Sequence, residues 1–340
     1  MELYLDSADF KEIELAFQLG FLTGLTTTPT FMHREGISDI DEAIIKLSKM
    51  VPILQIEALG NNANEIFNEA KRLLNLGLDK EKTVFKIPVS LEGVKACKRL
   101  TDEGIMVNVH LVYTLQQAYM AMEAGATYVC PLVGRLQDQG HDALALVQQC
   151  VDAVNYYGYQ SKIMFSSVRH AEHVRNAINI GVHTITVPWK VMKQLTENVF
   201  TTVGTDQFFT DTRLMTTKVR EIISNENPAV TLDEDILTAT VKMTESGMGA
   251  VTVLDKSETI VGIFTDGDLR RSLKSHGKEI LNKKMSEFKF NYPITIDADE
   301  LISEAVSIIK NRKVDNIVVT SDSKLFGMLD VQDLIKINVI

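Results

Sequence analysis

The sequence predicts a parallel (β/α)8 barrel followed by a smaller α+β unit built from two copies of one motif. Three observations carry this. Eight short apolar runs alternate with helical stretches over roughly the first 190 residues, no G-x-G-x-x-G follows the first run, and the remainder of the chain repeats itself.

The eight runs are LYLD, GLTTTP, ILQIEAL, TVFKIPV, MVNVHLV, YVCPLVGR, KIMFSSVR and TITVPW. Stretches between them, such as ANEIFNEAKRLLNLG and LQQAYMAMEAG, space their apolar residues at helical intervals and end at glycine, a frequent helix terminator. Eight strand-helix units in about 200 residues favour a closed barrel over an open, doubly wound sheet. In the second part, VTLDED at 230 aligns with ITIDAD at 294, and GIFTDGDL at 262 with GMLDVQDL at 327. Those offsets of 64 and 65 residues mark a duplicated supersecondary unit. The expected organisation is a barrel over 1–212, a linker at 213–217, and a paired module over 218–340, with copies at about 218–275 and 282–340.

Composition narrows the functional classes. The 340 residues are 45% apolar and 24% charged, enough to bury a substantial core. A net charge of -10 argues against nucleic acid as a partner, because neutralising phosphates takes clustered Lys and Arg. The opening MELYLDSADF lacks the basic-then-apolar order of a secretory leader, and no run is apolar for the length of a membrane span, so a cytoplasmic location with no membrane partner is expected. Cys97, Cys130 and Cys150 are odd in number and widely spaced, fitting neither a disulfide framework nor a zinc site. They read as reduced core residues. His170 and His173, three apart in VRHAEHVRN, have no evident acidic or cysteine partner for a metal and read as surface or capping positions.

In such a barrel the C-terminal strand ends converge on one face, so polar residues there are the first candidates for chemistry. Lys86 stands in TVFKIPV among apolar neighbours. Keeping an amine from water disfavours the ammonium form and frees it to attack a carbonyl, although a lysine at a strand end also commonly reaches out to solvent. Asp6 and Glu57 lie late on strands 1 and 3 and supply carboxylates for the proton transfers of imine chemistry. Asn108 and Ser167 suit substrate hydroxyls, and Arg135 and Arg169 suit a phosphate dianion. Taken singly, each also reads as a loop or cap residue. Such chemistry needs no metal and no cofactor.

MELYLDSADFKEI, GLTTTPTF, TVFKIPVSLEGVKACKRLTDEGI, CPLVGRLQDQG, KIMFSSVRHAEHV and GVHTITVP, in that order over residues 1–212, resemble the small transaldolases and the related fructose-6-phosphate aldolases. The resemblance implies that Lys86 forms a Schiff base with a ketose phosphate, that Asp6 is the general acid/base at the cleaved bond, and that Glu57 holds the catalytic water. It implies that Thr26, Asn108 and Ser167 contact the donor and that Arg135 and Arg169 hold the sugar phosphate. Ring-shaped oligomers are typical of the family, often with an exchanged C-terminal helix; here that region looks short, and a homo-oligomer of unspecified symmetry is expected.

Four positions depart from the family pattern. Thr28 replaces the Asn of T-T-N-P, His110 replaces the Thr that shares the catalytic water, Leu132 stands where an aromatic residue is usual, and Cys130 where Ser or Ala is common. Three readings follow: a changed donor or acceptor, His110 working as a base or driving an isomerisation, or a metabolite-sensing barrel without catalysis. The first is adopted, since losing an amide that bonds substrate hydroxyls penalises the old substrate, and a decayed site would have little reason to keep Lys86, Asp6 and Glu57 together.

The duplicated part resembles a CBS domain pair. GIFTDGDL matches the family's ligand signature through Gly262, Thr265 and Asp268, which implies a ribose diol bonded by the hydroxyl and carboxylate. The second copy has Asp330 in place of the Thr, so one ligand per pair is expected. GIFTDGDLRRSL further resembles pairs attached to arabinose-5-phosphate isomerases and to some sugar-nucleotide enzymes, which implies an adenine nucleotide or a nucleotide-sugar as regulator.

Overall fold

Eight parallel strands close on themselves in sequence order: β1 (Glu2–Asp6), β2 (Gly24–Thr26), β3 (Leu54–Glu57), β4 (Thr83–Pro88), β5 (Met106–Val112), β6 (Tyr128–Pro131), β7 (Lys162–Phe165) and β8 (Thr184–Val187), with β8 pairing back onto β1. This computed structural model describes residues 1–223 and 227–340 and divides them into two units, Met1–Glu197 and Asn198–Ile340. The barrel predicted from the alternation is present, each expected run supplying one strand.

Strand parity explains the core. Leu5, Ile56, Phe85, Ile87, Val107, Val109 and Phe165 point outward and pack beneath the helices, while Tyr4, Val84, Tyr128 and Met164 fill the barrel interior. The hydroxyls of Tyr4 and Tyr128 meet across that interior at 2.9 Å. Side-chain caps start the surrounding helices, as where Ser90 accepts from Gly93 N–H and where Thr114 and Gln117 form a capping box. Gly158 and Gly181 end two others with φ of 69° and 75°, a left-handed turn that a side chain would strain.

In the second unit β9 (Ala229–Thr231), β10 (Ala250–Leu254) and β11 (Ile260–Thr265) form one sheet, and β12 (Thr295–Asp297), β13 (Asn316–Ser321) and β14 (Lys324–Asp330) form another. Each copy runs strand, helix, strand, strand, helix, with a parallel outer pair and an antiparallel hairpin. Met248, Ala250 and Ile260 of the first copy pack with Val318 and Met328 of the second, so each sheet covers the other's apolar face.

The join differs from its sequence reading. Residues 213–216 are the last turn of an 18-residue helix, Val199–Thr216, and are not an irregular linker. The region after the barrel is therefore not short. That helix groups with the second unit, where Arg213 donates to Ile337 O at 2.6 Å. Polar TDQ and TDT segments hid it, since the helix buries no residue and has no clear apolar stripe for periodicity to detect. Among the described residues no helix is long and apolar enough to cross a membrane.

Candidate active site

Lys86 on β4 is in register with Glu57 on β3 and Asn108 on β5, which brings the three side chains onto one inward layer. Only 5% of Lys86 is exposed. Its Nζ lies 3.0 Å from Glu57 Oε1 and donates to Thr27 O at 2.9 Å. A buried pair of this kind is costly to desolvate, which makes it the candidate centre of the site.

Glu57 also faces His110. A bulge in β5 between Val109 and Val112, with Leu111 at φ 56°, places His110 at the rim of the barrel, as bulges beside active sites do. Its Nε2 is 2.9 Å from Glu57 Oε2, but off the line that an N–H would take, so the two are in close contact without a formed hydrogen bond. Burial raises the proton affinity of Glu57, yet the Lys86 charge and His110 outweigh it and hold the carboxyl below its usual range. For His110 burial dominates, helped by the charges of Lys86 and Arg135, and the imidazole is pushed below its usual range despite Glu57. The shift favours the neutral imidazole over the imidazolium.

Asp6 ends β1 beside this group. Burial pushes its carboxyl above the usual range, against the pull of Lys86 and of Thr26. Thr26 donates to Asp6 Oδ1 at 2.8 Å and lies 2.5 Å from Thr186 Oγ1. Because Thr26 gives its single proton to Asp6, Thr186 is the donor in the second bond.

Asn108 donates to Gln55 Oε1 at 2.6 Å and leaves its own carbonyl oxygen free. Buried atoms without a hydrogen-bond partner lie in this region: Asn108 Oδ1 beside Lys86, Glu57 Oε2 and His110 Nε2 facing each other, and Gln55 Nε2 one layer below. Interiors rarely leave such atoms unpaired, so free polar atoms beside Lys86, Asn108 Oδ1 above all, suit a polar guest. Cys130 belongs to the same wall; burial pushes its thiol up to about 11, with Lys86, Asp6 and Glu57 all near enough to act on it. It is a neutral lining group. Leu132 follows two residues later on the same face, buried, and starts the helix Val133–Asp138. Thr28 caps the helix Pro29–Arg34 through a bond from Phe31 N–H at 3.3 Å, which occupies one lone pair of its hydroxyl.

Ser167, Arg135 and Arg169 cluster at the mouth. Ser167 has φ 59°, and a Cβ on Gly134 would lie 2.2 Å from its carbonyl oxygen and 2.8 Å from Arg169 Nε. Glycine at 134 is therefore required by close approach, in the segment carrying Arg135. Arg135 is exposed and within 3.4 Å of Tyr113 OH, while Arg169 pairs with Asp138.

In the second unit Thr265 caps the helix Asp266–His276 and shares a capping box with Asp268. Thr265 donates to Asp268 Oδ2 at 2.7 Å, and Arg271 pairs with Oδ1 at 2.6 Å. Gly262 has a packing reason: a Cβ there would fall 2.2 Å from Phe290 Cβ. In the second copy Asp330 takes the capping position and is bonded by Asn316 at 2.8 Å.

Sequence reasoning missed Gln55, Thr27, Thr186 and His173. Gln55 lies two residues before Glu57, and the parity of β3 that turns Glu57 inward turns Gln55 inward too, a signal that was available. His173, read as surface or capping, is buried at 1% exposure; His170 is the exposed N-terminal position of that helix. The helix Ala171–Ile180 lays its apolar face on the barrel, and His173 shares that face with Val174 and Ala177.

Comparison with known proteins identifies the family of the barrel. The family model for transaldolase/fructose-6-phosphate aldolase matches residues 3–248, and the model for the CBS domain matches residues 285–339. A protein described as a probable transaldolase from Coprothermobacter proteolyticus is 40% identical over 211 residues, covering 62% of this chain and 96% of that protein. Another, from Shouchella clausii, is 38% identical over 212 residues, with 62% and 96% covered. Among solved structures, a CBS-domain containing protein from Agrobacterium tumefaciens aligns with a TM-score of 0.32 at 20% identity, over 35% of this chain and 92% of that one. The transaldolase/fructose-6-phosphate aldolase model, matching residues 3–248 and with them the eight-stranded barrel, places the chain in that family, with a C-terminal CBS domain.

Proposed function

We propose that the barrel is a class I aldolase or transaldolase acting on a ketose phosphate through a Schiff base on Lys86. The observation that carries the reading is the buried Lys86 amine held between Glu57 and Thr27 O, in register with Asn108, whose carbonyl oxygen is unpaired. The amine adds to the ketone carbon, a proton passes to the oxygen, and water leaves to give the imine. Asp6 takes the proton of the hydroxyl beyond the scissile bond; that carbon-carbon bond breaks, its electron pair moves to the imine nitrogen, and an aldehyde departs. The enamine left on Lys86 either attacks a second aldehyde or takes a proton and is hydrolysed. Arg135 and Arg169 hold the phosphate, and Asn108, Thr26 and Ser167 meet the hydroxyls.

His110, Thr28, Cys130 and Leu132 set a donor preference different from that of the family's usual members. Thr28 supports this, because its oxygen caps a helix where an Asn amide would reach the donor. A second reading gives His110 the proton transfers of an isomerisation, favoured by its neutral ring beside Glu57. Aldol cleavage across a panel of ketose phosphates, assayed in EDTA, tests these readings. Cleavage of at least one is expected, and the combined Thr28→Asn and His110→Thr variant should gain about tenfold on fructose 6-phosphate relative to wild type. No cleavage of any ketose phosphate contradicts the aldolase reading, and aldose-ketose interconversion without cleavage favours the isomerase.

The CBS pair serves as a regulatory site for an adenine nucleotide or nucleotide-sugar, bound in the first copy by Thr265 and Asp268. What supports one site is the contrast between the Thr265–Asp268 box and the Asp330 that replaces the hydroxyl. Thermal unfolding against AMP, ATP and CMP- and GDP-sugars should show a midpoint rising with one of them, by an amount set by the ratio of ligand concentration to Kd. Thr265→Val should abolish that rise; a flat response to all of them contradicts the regulatory reading.

A further inference from the structure

We propose that His173 is a positioning residue for the phosphate end of the barrel, registering the loop that carries Ser167 and Arg169 against the helix that carries Arg135. The inference rests on the reading of Arg135 and Arg169 as phosphate ligands.

The ring bridges two segments that are far apart in sequence. His173 Nδ1 accepts the backbone N–H of Arg169 at 3.3 Å, and its Nε2 lies 2.7 Å from Gln137 Oε1 on the helix Val133–Asp138. An Nδ1 that accepts carries no proton, so Nε2 carries it and donates to Gln137. Only this neutral tautomer serves both partners. Burial, with the charges of His170 and Arg169, holds the ring down to about 4, so it stays neutral at ordinary pH. Phe165 meets the ring edge-on at 5.9 Å and His170 lies over it at 3.8 Å, fixing its plane.

Among the described residues the loop and helix have two other polar ties: Val133 N–H donates to Ser166 O at 3.1 Å at the base of the loop, and Arg169 pairs with Asp138, their side chains being 48% and 54% exposed. Pairs so open to solvent hold geometry weakly. Bonds made by a buried ring are not exchanged for water and hold it better. At Gly134 the loop and helix touch with no room for a methyl group, so a shift of either displaces the guanidinium groups against a phosphate. Bidentate recognition tolerates little displacement. His173 shares no hydrogen bond or ion pair with Lys86, Glu57 or Asp6, so its effect falls on phosphate binding and spares imine formation.

The test uses full-length protein and inorganic phosphate, titrated by calorimetry into wild type, Arg169→Gln, His173→Phe and Gln137→Leu. The rate of borohydride trapping with unphosphorylated dihydroxyacetone is measured in parallel. His173→Phe should weaken phosphate about five- to tenfold and Gln137→Leu about threefold, with trapping within about twofold of wild type. If Arg169→Gln loses phosphate while His173→Phe and Gln137→Leu bind as wild type, the positioning role is wrong and the phosphate reading survives. If Arg169→Gln binds phosphate as wild type does, the phosphate reading falls, and the inference with it. A loss of trapping equal to the loss of phosphate affinity in both His173→Phe and Gln137→Leu overturns positioning in favour of general loosening. Should His173→Phe not fold, the Gln137→Leu affinity decides.

Discussion

Replacing Lys86 with methionine should abolish turnover, by a factor on the order of 10⁴ or more, because among the described residues no other lysine is buried to form the imine. Methionine matches the length of the stem and keeps the barrel filled. Glu57 then loses its closest cation and keeps only His110. The Lys86 charge is one of the causes that lower the His110 proton affinity, so its removal should raise the imidazole pKa, readable by NMR titration. A variant that keeps more than about a hundredth of wild-type cleavage contradicts the nucleophile assignment.

Asp6→Asn should separate the two halves of the reaction. The imine should still form, while carbon-carbon cleavage slows by about 10²- to 10⁴-fold, the usual worth of a positioned acid/base. Asparagine keeps an acceptor for the Thr26 hydroxyl, so the Thr186–Thr26 chain survives the change. The sign of the pH dependence follows from burial. A carboxyl held above its usual range stays protonated to higher pH, so the basic form needed for cleavage appears later than for a free aspartate, and the acid limb of the rate profile shifts upward accordingly. In Asp6→Asn that limb should vanish. Single-turnover measurement of imine formation and aldehyde release from pH 4 to 9 reads both effects, and equal slowing of the two steps would place Asp6 elsewhere in the mechanism.

Much of this molecule was legible in its sequence because a parallel barrel writes itself as repeated apolar runs, and the inward residue at each strand end is fixed by parity. Lys86, Glu57 and Asn108 were found that way, and the register places them side by side. Gln55 and Thr186 obey the same parity and were passed over, being uncharged and one layer or several strands from the lysine. What parity cannot give is backbone that leaves the strand. The bulge at Leu111 that sets His110, the left-handed turn at Ser167, and the contact of Gly134 with Arg169 are decided by tertiary packing. The helix Val199–Thr216 escaped for a different reason: with no buried face it lacks the period that reveals a helix. Gly262 shows the limit of motif matching, since a glycine in a ligand signature here also makes room for Phe290.

The central claim, an imine on Lys86, is most directly tested by borohydride reduction in the presence of dihydroxyacetone, dihydroxyacetone phosphate or fructose 6-phosphate, followed by peptide mass spectrometry. The account predicts a reduced adduct on the peptide containing Lys86 with at least one of the three, absent from Lys86→Met. No adduct with any ketose, or an adduct on another lysine that survives in Lys86→Met, would contradict it.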